Sequence, residues 1–280
     1  MDESKENRGA AGAPENSHKA ADEMQALANV FSSGRPGGDR TESSMQRLRP
    51  IAIWSGAGLL VVVIGCFIVY MSSRPGKARE AYAGGERLVT QGKYKEAVAL
   101  FDEAVAFDSG YAGAYYARAA AYGALGEDSN VVRDLNTVLR LRPDFVDAYF
   151  RRGAIYNKRG EYRRAAGDFT KVISARPDYG NAYAQRAAVY MSLKDYPHAI
   201  ADYEKAIQYD PNVDNFYQRA TSYEALGEYQ KALSDFNSVI TLEPDVYFMY
   251  LARSNVRKAL GDTAGYQADR EKASELQTGR

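Results

Sequence analysis

A single cysteine, Cys66, and two histidines, His18 and His198, are all that the chain offers of the usual metal ligands and nucleophile–base partners. One cysteine excludes an intrachain disulfide and a cysteine-based metal cluster. Two histidines far apart in sequence leave little from which to build a metal site or an activated nucleophile. A glycine-rich phosphate loop is also lacking, and the many Asp/Glu pairs fall on water-facing helix positions, so catalysis has no candidate residue. No enzyme activity, no cofactor and no metal are expected. An excess of charge is missing too: Lys+Arg 36 stand against Asp+Glu 36. No global field therefore draws the chain to nucleic acid or to an anionic surface. What is present, 26% charged and 12% aromatic residues, suits a folded core.

Charge is absent altogether from Ile51 to Met71, IAIWSGAGLLVVVIGCFIVYM. At about 1.5 Å per residue this stretch spans roughly 30 Å, the thickness of a bilayer hydrocarbon core. Trp54 and Tyr70 lie near its ends, as an aromatic belt requires. It starts later and runs longer than an ordinary cleaved signal peptide. Residues 51–71 are therefore expected to be a transmembrane helix held in the lipid bilayer. Cys66 would be apolar filler there, an inert thiol. Ala52 and Gly56 form a small-xxx-small pair, which would support helix dimerisation and a homo-oligomer. Within 20 residues of the span each side carries four basic residues, Arg35, Arg40, Arg47 and Arg49 against Arg74, Lys77, Arg79 and Arg87. The positive-inside rule is therefore balanced. A polar tail without a signal is awkward to translocate, whereas a long following domain crosses largely regardless of charge. This favours a cytoplasmic tail with the following domain on the far, periplasmic or lumenal side; the reverse orientation stays open.

Residues 1–50 are polar and rich in Gly, Pro and Ser. They cannot bury enough apolar surface to offset chain entropy and read as a disordered tail. Within them Ala20, Ala21, Met24, Leu27, Ala28 and Phe31 share one face if 18–32 is helical. That island is either a short docking helix or a transient helix without a role. Residues 72–77, SSRPGK, read as a short tether.

Beyond the tether the chain repeats. From Val146 to Tyr179, Tyr149, Gly153 and Tyr156 form one apolar stripe at helical spacing. After Gly160, Ala165, Phe169 and Val172 form another, and Pro177 closes the unit. Two short helices around a turn make an αα-hairpin that cannot bury both stripes alone. The turn recurs at Gly92, Gly126, Gly160, Lys194, Gly227 and Gly261, with steps of 34, 34, 34, 33 and 34 residues. Pro143, Pro177, Pro211 and Pro244 keep the same step, and the missing residue falls in the loop Pro211–Asp214.

This pattern resembles the tetratricopeptide repeat family, whose units run aromatic, small, Tyr, then Ala, aromatic, Pro. The first aromatic is Tyr115, Tyr149, Tyr183, Phe216 and Tyr250. The small residue is Gly85, Ala119, Gly153, Ala187, Ala220 and Ser254. The Tyr is Tyr122, Tyr156, Tyr190 and Tyr223; Ala97, Ala165, Ala199 and Ala232 precede Phe101, Phe169, Tyr203 and Phe236 by four. The resemblance implies an all-α, right-handed superhelical solenoid of about six helix-turn-helix repeats over residues 78–280. Its units are 78–111, 112–145, 146–179, 180–212, 213–246 and 247–280. The terminal units depart from the pattern, with Ala81, Leu88 and Ser109 in the first and Arg257, Tyr266 and Arg270 in the last. Terminal repeats face water on one side, and Asp269 to Arg280 reads as a charged capping helix.

Two ladders stand out. Arg118, Arg152, Arg186, Arg219 and Arg253 precede the small residue; Asp134, Asp168, Asp202, Asp235 and Asp269 precede the second-helix aromatic slot. The first unit lacks both, with Gly84 and Leu100. That joint absence suggests a structural ion-pair ladder in which each Arg meets the Asp of its own hairpin. An anion-binding arginine row is the rival, weakened by the local counter-charges.

In the resembled family the first helices line a concave groove. The resemblance implies partner contacts at Tyr82, Tyr116, Phe150, Arg151, Asn157, Gln185, Tyr217 and Gln218, aromatic anchors with polar handles for a peptide or a helix of another protein. The aromatics packing among themselves is the alternative. Some members clamp chaperone C-terminal carboxylates; Tyr82, Glu86 and Ala117 occupy those positions here, which excludes that partner class. The expected function is a membrane-anchored scaffold that docks proteins or peptide segments and supports assembly of a membrane complex. The alternatives are a cytosol-facing receptor or targeting factor, and a structural accessory subunit of a membrane enzyme complex.

Overall fold

The computed structural model describes residues 49–279, which form twelve helices and no strand among them. The amphipathic island and nearly all of the N-terminal tail lie outside the described residues. The chain divides between Phe67 and Ile68 into two units.

Helix α1 runs Arg49–Thr90. Through Phe67, its described side chains from Leu60 onward are apolar or small and face outward. The expected tether 72–77 is helical. Pro75 removes one N–H from the ladder yet the helix continues. The reason lies on either side: Arg74 Nη2 donates to the Ala106 carbonyl at 2.7 Å, and Ala78 and Ala81 are buried. Packing outweighs the local preference of Pro and Gly for a break.

In the second unit the rest of α1 starts a series of hairpins. The partners are α2 (Tyr94–Phe107), α3 (Ala112–Ala124), α4 (Asp128–Leu141), α5 (Val146–Lys158) and α6 (Tyr162–Ala175). The series continues with α7 (Gly180–Ser192), α8 (Tyr196–Tyr209), α9 (Val213–Ala225), α10 (Tyr229–Leu242), α11 (Tyr247–Ala259) and α12 (Thr263–Thr278). From α2 onward each helix packs on the next, and α7 also touches α5 and α9. This is an all-α solenoid.

Each odd-to-even turn closes the same way. In the third, the Glu161 N–H reaches the Tyr156 carbonyl at 2.8 Å and the Gly160 N–H reaches Asn157 at 2.9 Å, a Schellman pair. The turn residue is left-handed, at φ 72° for Gly160, and Lys194 adopts φ 60° in the fourth. Below each turn a second-helix side chain fills the hairpin. Phe101, Leu135, Phe169, Tyr203 and Phe236 are buried, and full burial of such a side chain stabilises by about 1.5–3 kcal/mol. The facing small residue is forced by this. A Cβ on Gly85 would stand 2.5 Å from Phe101 Cε1, whereas Ala119, Ala187 and Ala220 fit.

The last helix begins at Thr263, earlier than the expected capping segment, with the Asp262 side chain accepting from Gly265 N–H at 2.8 Å. Ala273 and Asp269 are buried and most of its other residues are exposed. Arg257, which replaces the usual tyrosine, is partly buried and reaches Asp269 at 3.1 Å.

Candidate functional site

Two rows of side chains cross the repeats. In the first, each arginine lies on an odd-numbered helix and meets the carboxylate sixteen residues on, in the following helix. Arg118 Nε and Nη2 donate to Asp134 at 2.7 and 2.8 Å, and Arg152 to Asp168 at 2.8 and 2.7 Å. Arg186 meets Asp202 at 2.7 and 2.8 Å, Arg219 meets Asp235 at 2.8 and 2.7 Å, and Arg253 meets Asp269 at 3.0 and 2.6 Å. These are bidentate, charge-assisted pairs.

The remaining Nη1 turns to the preceding hairpin, a contact that sequence reasoning missed. Arg118 reaches Asp102 at 2.5 Å, Arg152 reaches Asn136 at 2.7 Å, Arg186 reaches Thr170 at 2.9 Å and Arg253 reaches Asn237 at 2.7 Å. Each acceptor lies sixteen residues before its arginine. The signal was available as a polar column, Asp102, Asn136, Thr170, Glu204 and Asn237. Every guanidinium also covers the first aromatic of its unit, at 5.2 Å for Tyr115 and 5.6 Å for Tyr149. At Arg152, Arg186 and Arg219 the hydrogen bond to Asp raises the pKa against the opposing effect of burial. At Arg118 burial is the larger single influence and lowers it, but Asp134 and Asp102 together bring the net above the usual value. The row bridges the two helices of each hairpin, with two arms of each guanidinium taken by its own carboxylate, and at Arg118, Arg152, Arg186 and Arg253 it also reaches the preceding hairpin.

The second row lies on the odd helices α1, α3, α5, α7 and α9, where Tyr82, Tyr116, Phe150, Ala184 and Tyr217 occupy one column. The aromatics are half-buried and pack on rings of their own repeat, and Tyr217 reaches the next repeat as well. Tyr82 lies 5.1 Å from Tyr111, Tyr116 lies 4.8 Å from Phe145 and Phe150 lies 5.5 Å from Tyr179. Tyr217 packs edge-on to Phe236 at 5.7 Å and to Phe248 at 6.1 Å. They are partly spent on the stack, and what remains exposed floors a series of hollows.

Three cavities follow. Tyr82 and Tyr116 line one of about 520 Å³ between α1 and α3. Phe150 and Arg151 line one of about 320 Å³ between α3 and α5, otherwise walled by Ala, Gly, Val and Ile. Gln185 and Gln218 line the largest, about 710 Å³, between α7 and α9. Asn157 and Tyr217 line none of these three. Arg151 lies over the Tyr116 ring at 5.0 Å. The Tyr82 hydroxyl donates to Glu86 Oε1 at 2.6 Å; burial first, then this bond, push its pKa up. Burial likewise raises Tyr116, with Arg151 opposing. Asn181, Asn212, Asp214 and Asn215 also line the largest cavity and were not foreseen. Its origin was legible as the one small residue, Ala184, in an otherwise aromatic column. Among the described residues no group of three His, Cys, Asp or Glu is placed to hold a metal ion.

Models of the tetratricopeptide repeat match residues 85–126, 147–179, 180–213 and 214–245. Comparison with curated proteins finds no match. Similar solved structures include MamA, residue 41 to its end, from Desulfovibrio magneticus RS-1, at 24% identity and TM-score 0.58 over 60% of this chain and 96% of that one. The C-terminal part of a TPR repeat-containing protein from Cytophaga hutchinsonii gives 22% identity and TM-score 0.64 over 71% and 80%. YrrB, described as a TPR protein with an unusual peptide-binding site, gives 20% identity and TM-score 0.58 over 62% and 90%. At these identities the likeness bears on the fold. The matched segments of this chain are tetratricopeptide repeats, set in an all-α solenoid of the kind those structures share.

Proposed function

We propose that the chain is a single-pass, membrane-anchored scaffold. It docks partner proteins or peptide segments in the groove of its first helices and supports assembly of a membrane complex. The observation that carries the docking reading is the set of open cavities lined by the odd helices, floored by half-buried aromatics. Aromatic anchors beside a few polar groups are what a polypeptide ligand needs. Binding of other proteins or peptides is also what the repeat family does as a rule, without catalysis.

For the anchor, the support is the exposed apolar helix. Eight large apolar side chains between Leu60 and Val69 are 48–68 % exposed. Leaving them in water would cost on the order of 10 kcal/mol at about 1.5–3 kcal/mol per side chain. Among the described residues this is the one helix long and apolar enough to cross a membrane. The reading takes 51–71 as the span, 78–280 as six repeats on a right-handed superhelical course, and the tail as cytoplasmic. Ala52 and Gly56 would serve a dimer contact. A cytosol-facing receptor is the same machine in the reverse orientation.

The test is crosslinked co-purification from native membranes, comparing the natural chain with Tyr116→Ala/Phe150→Ala and with Gln185→Ala/Gln218→Ala. Loss of the same partners from both variants, with unchanged circular dichroism, is expected, at over ~1 kcal/mol per anchor residue. Retention of every partner by both variants would assign binding to the solenoid's edge and support the accessory-stalk alternative. Protease protection in spheroplasts, with and without permeabilisation, reads the orientation.

A further inference from the structure

The largest cavity differs in chemistry from the other two. They are floored by aromatic and small side chains; this one, between α7 and α9, is lined by carboxamides and carboxylates. Ala184 opens it, standing where the neighbouring repeats place Tyr116, Phe150 and Tyr217. Asn181, Gln185 and Gln218 supply both donors and acceptors, and Asp210 and Asp214 supply negative charge. No lysine, arginine or histidine lines it. Both carboxylates are exposed; Asp214 has no ion-pair partner among the described residues, and Asp210 Oδ2 accepts a single bond, from Asn212 Nδ2 at 3.1 Å.

A second observation is independent of those charges. Asn215 is 5% exposed and lines the same cavity. Its Nδ2 donates to the Asp210 carbonyl at 3.1 Å and its backbone N–H to Asn212 Oδ1 at 3.0 Å. Its own Oδ1 accepts no hydrogen bond from any described residue. A buried side chain is thus held rigidly with an acceptor left open on the cavity. The Oδ1 atom is open to the cavity rather than enclosed, and Asp210 and Asp214 beside it are exposed without a cationic partner, so the charge complementarity of the cavity favours a donor bearing positive charge.

We propose that the cavity between α7 and α9 seats a lysine or arginine side chain of a bound peptide segment, with Asp214 and Asp210 neutralising the charge and Asn215 Oδ1 accepting one of its hydrogens. Gln185 and Gln218 line the same cavity, and their carboxamides match the donors and acceptors of a peptide main chain. This rests on the groove reading above and adds selectivity: the apolar hollows at α1–α5 take apolar side chains, and α7–α9 sets the position of a basic one.

The test uses the full chain in detergent, immobilised, with four pools of decapeptides. Each pool is random except for a fixed central residue: Arg, Lys, Gln or Glu. The Arg and Lys pools should be retained at least fivefold over the Gln pool, with the Glu pool weakest, and the ratio should fall as salt rises. Asp214→Asn should bring the ratio to within twofold of unity while circular dichroism is unchanged. Ala184→Tyr, which restores the aromatic of the other repeats, should do the same by filling the hollow. Equal retention of all four pools overturns this proposal and leaves groove binding intact. Retention of none overturns both. A basic preference that survives both substitutions would place the selective group elsewhere and also overturn it.

Discussion

Replacing Asp168 with leucine should cost the solenoid about 2–3 kcal/mol, far more than an exposed ion pair is worth. The carboxylate accepts Arg152 Nε at 2.8 Å and Nη2 at 2.7 Å, and the two side chains are 18% and 8% exposed. Exposed pairs contribute about 0–1 kcal/mol, whereas breaking a buried one costs about 3–5 kcal/mol because it strands a charge. Arg152 keeps Asn136 at 2.7 Å and the faces of Tyr149 and Tyr156, and its residual exposure admits some water, so the cost falls between the two cases, near the bottom of the buried range. The chain itself contains the compensated version. The first repeat carries Gly84 and Leu100 at these two positions, in apolar contact. Arg152→Met combined with Asp168→Leu should therefore recover to within about 1 kcal/mol of the natural chain, a coupling of roughly 1.5 kcal/mol or more. Urea unfolding of the full chain in detergent, followed by far-UV circular dichroism, measures the cycle. Hydrogen exchange on α5 and α6 measures the local part, since repeat arrays unfold in segments. A cost below about 0.5 kcal/mol for Asp168→Leu, or two single effects that simply add, would refute the reasoning.

Lys194 holds a left-handed φ of 60° that glycine holds in the other five turns, so Lys194→Gly should stabilise by about 1 kcal/mol in the same unfolding assay. Gly160→Ala, at φ 72° with nothing near its missing Cβ, should destabilise by a similar ~1 kcal/mol. Gly85→Ala should lose about 1–3 kcal/mol to overpacking against Phe101, and Gly153→Ala, whose nearest contact would be 3.1 Å, should lose less. Burial raises the phenols of Tyr82 and Tyr203 above their ordinary value. Each therefore keeps its proton in the folded chain after the unfolded chain has lost it. The contribution of the deeply buried Tyr203 is fully present below about pH 10 and falls by up to about 1.4 kcal/mol per pH unit above that, until the folded group itself ionises; that of the more open Tyr82 is smaller. Tyr203→Phe should flatten the alkaline limb of a stability-versus-pH curve, and an unchanged limb would show that Tyr203 is not the titrating group.

The hairpins were legible because two periods coincide, 3.6 residues within a helix and 34 between units. The pairing of Arg with Asp was legible because both ladders skip the first repeat. The second arm of each arginine was not, because Asn136, Thr170 and Asn237 vary in type while sharing one position and one role. Ser72–Lys77 is helical although its local sequence does not show it. Pro75 and Gly76 signal a break locally, but burial of Ala78 and Ala81 and the bond from Arg74 to Ala106 carry the helix through. The groove column was read from the resemblance; the amide-lined cavity required noticing that Ala184 interrupts it, and Asn215 enters it from a loop-proximal turn shortened by one residue.

On the proposed function, partners are gripped on the odd-helix face. The most direct measurement places a photocrosslinking residue at Gln185 in one preparation and at the exposed Arg163 of α6 in another, in native membranes. Covalent adducts from position 185 and none from 163 are predicted; adducts from 163 alone would contradict it.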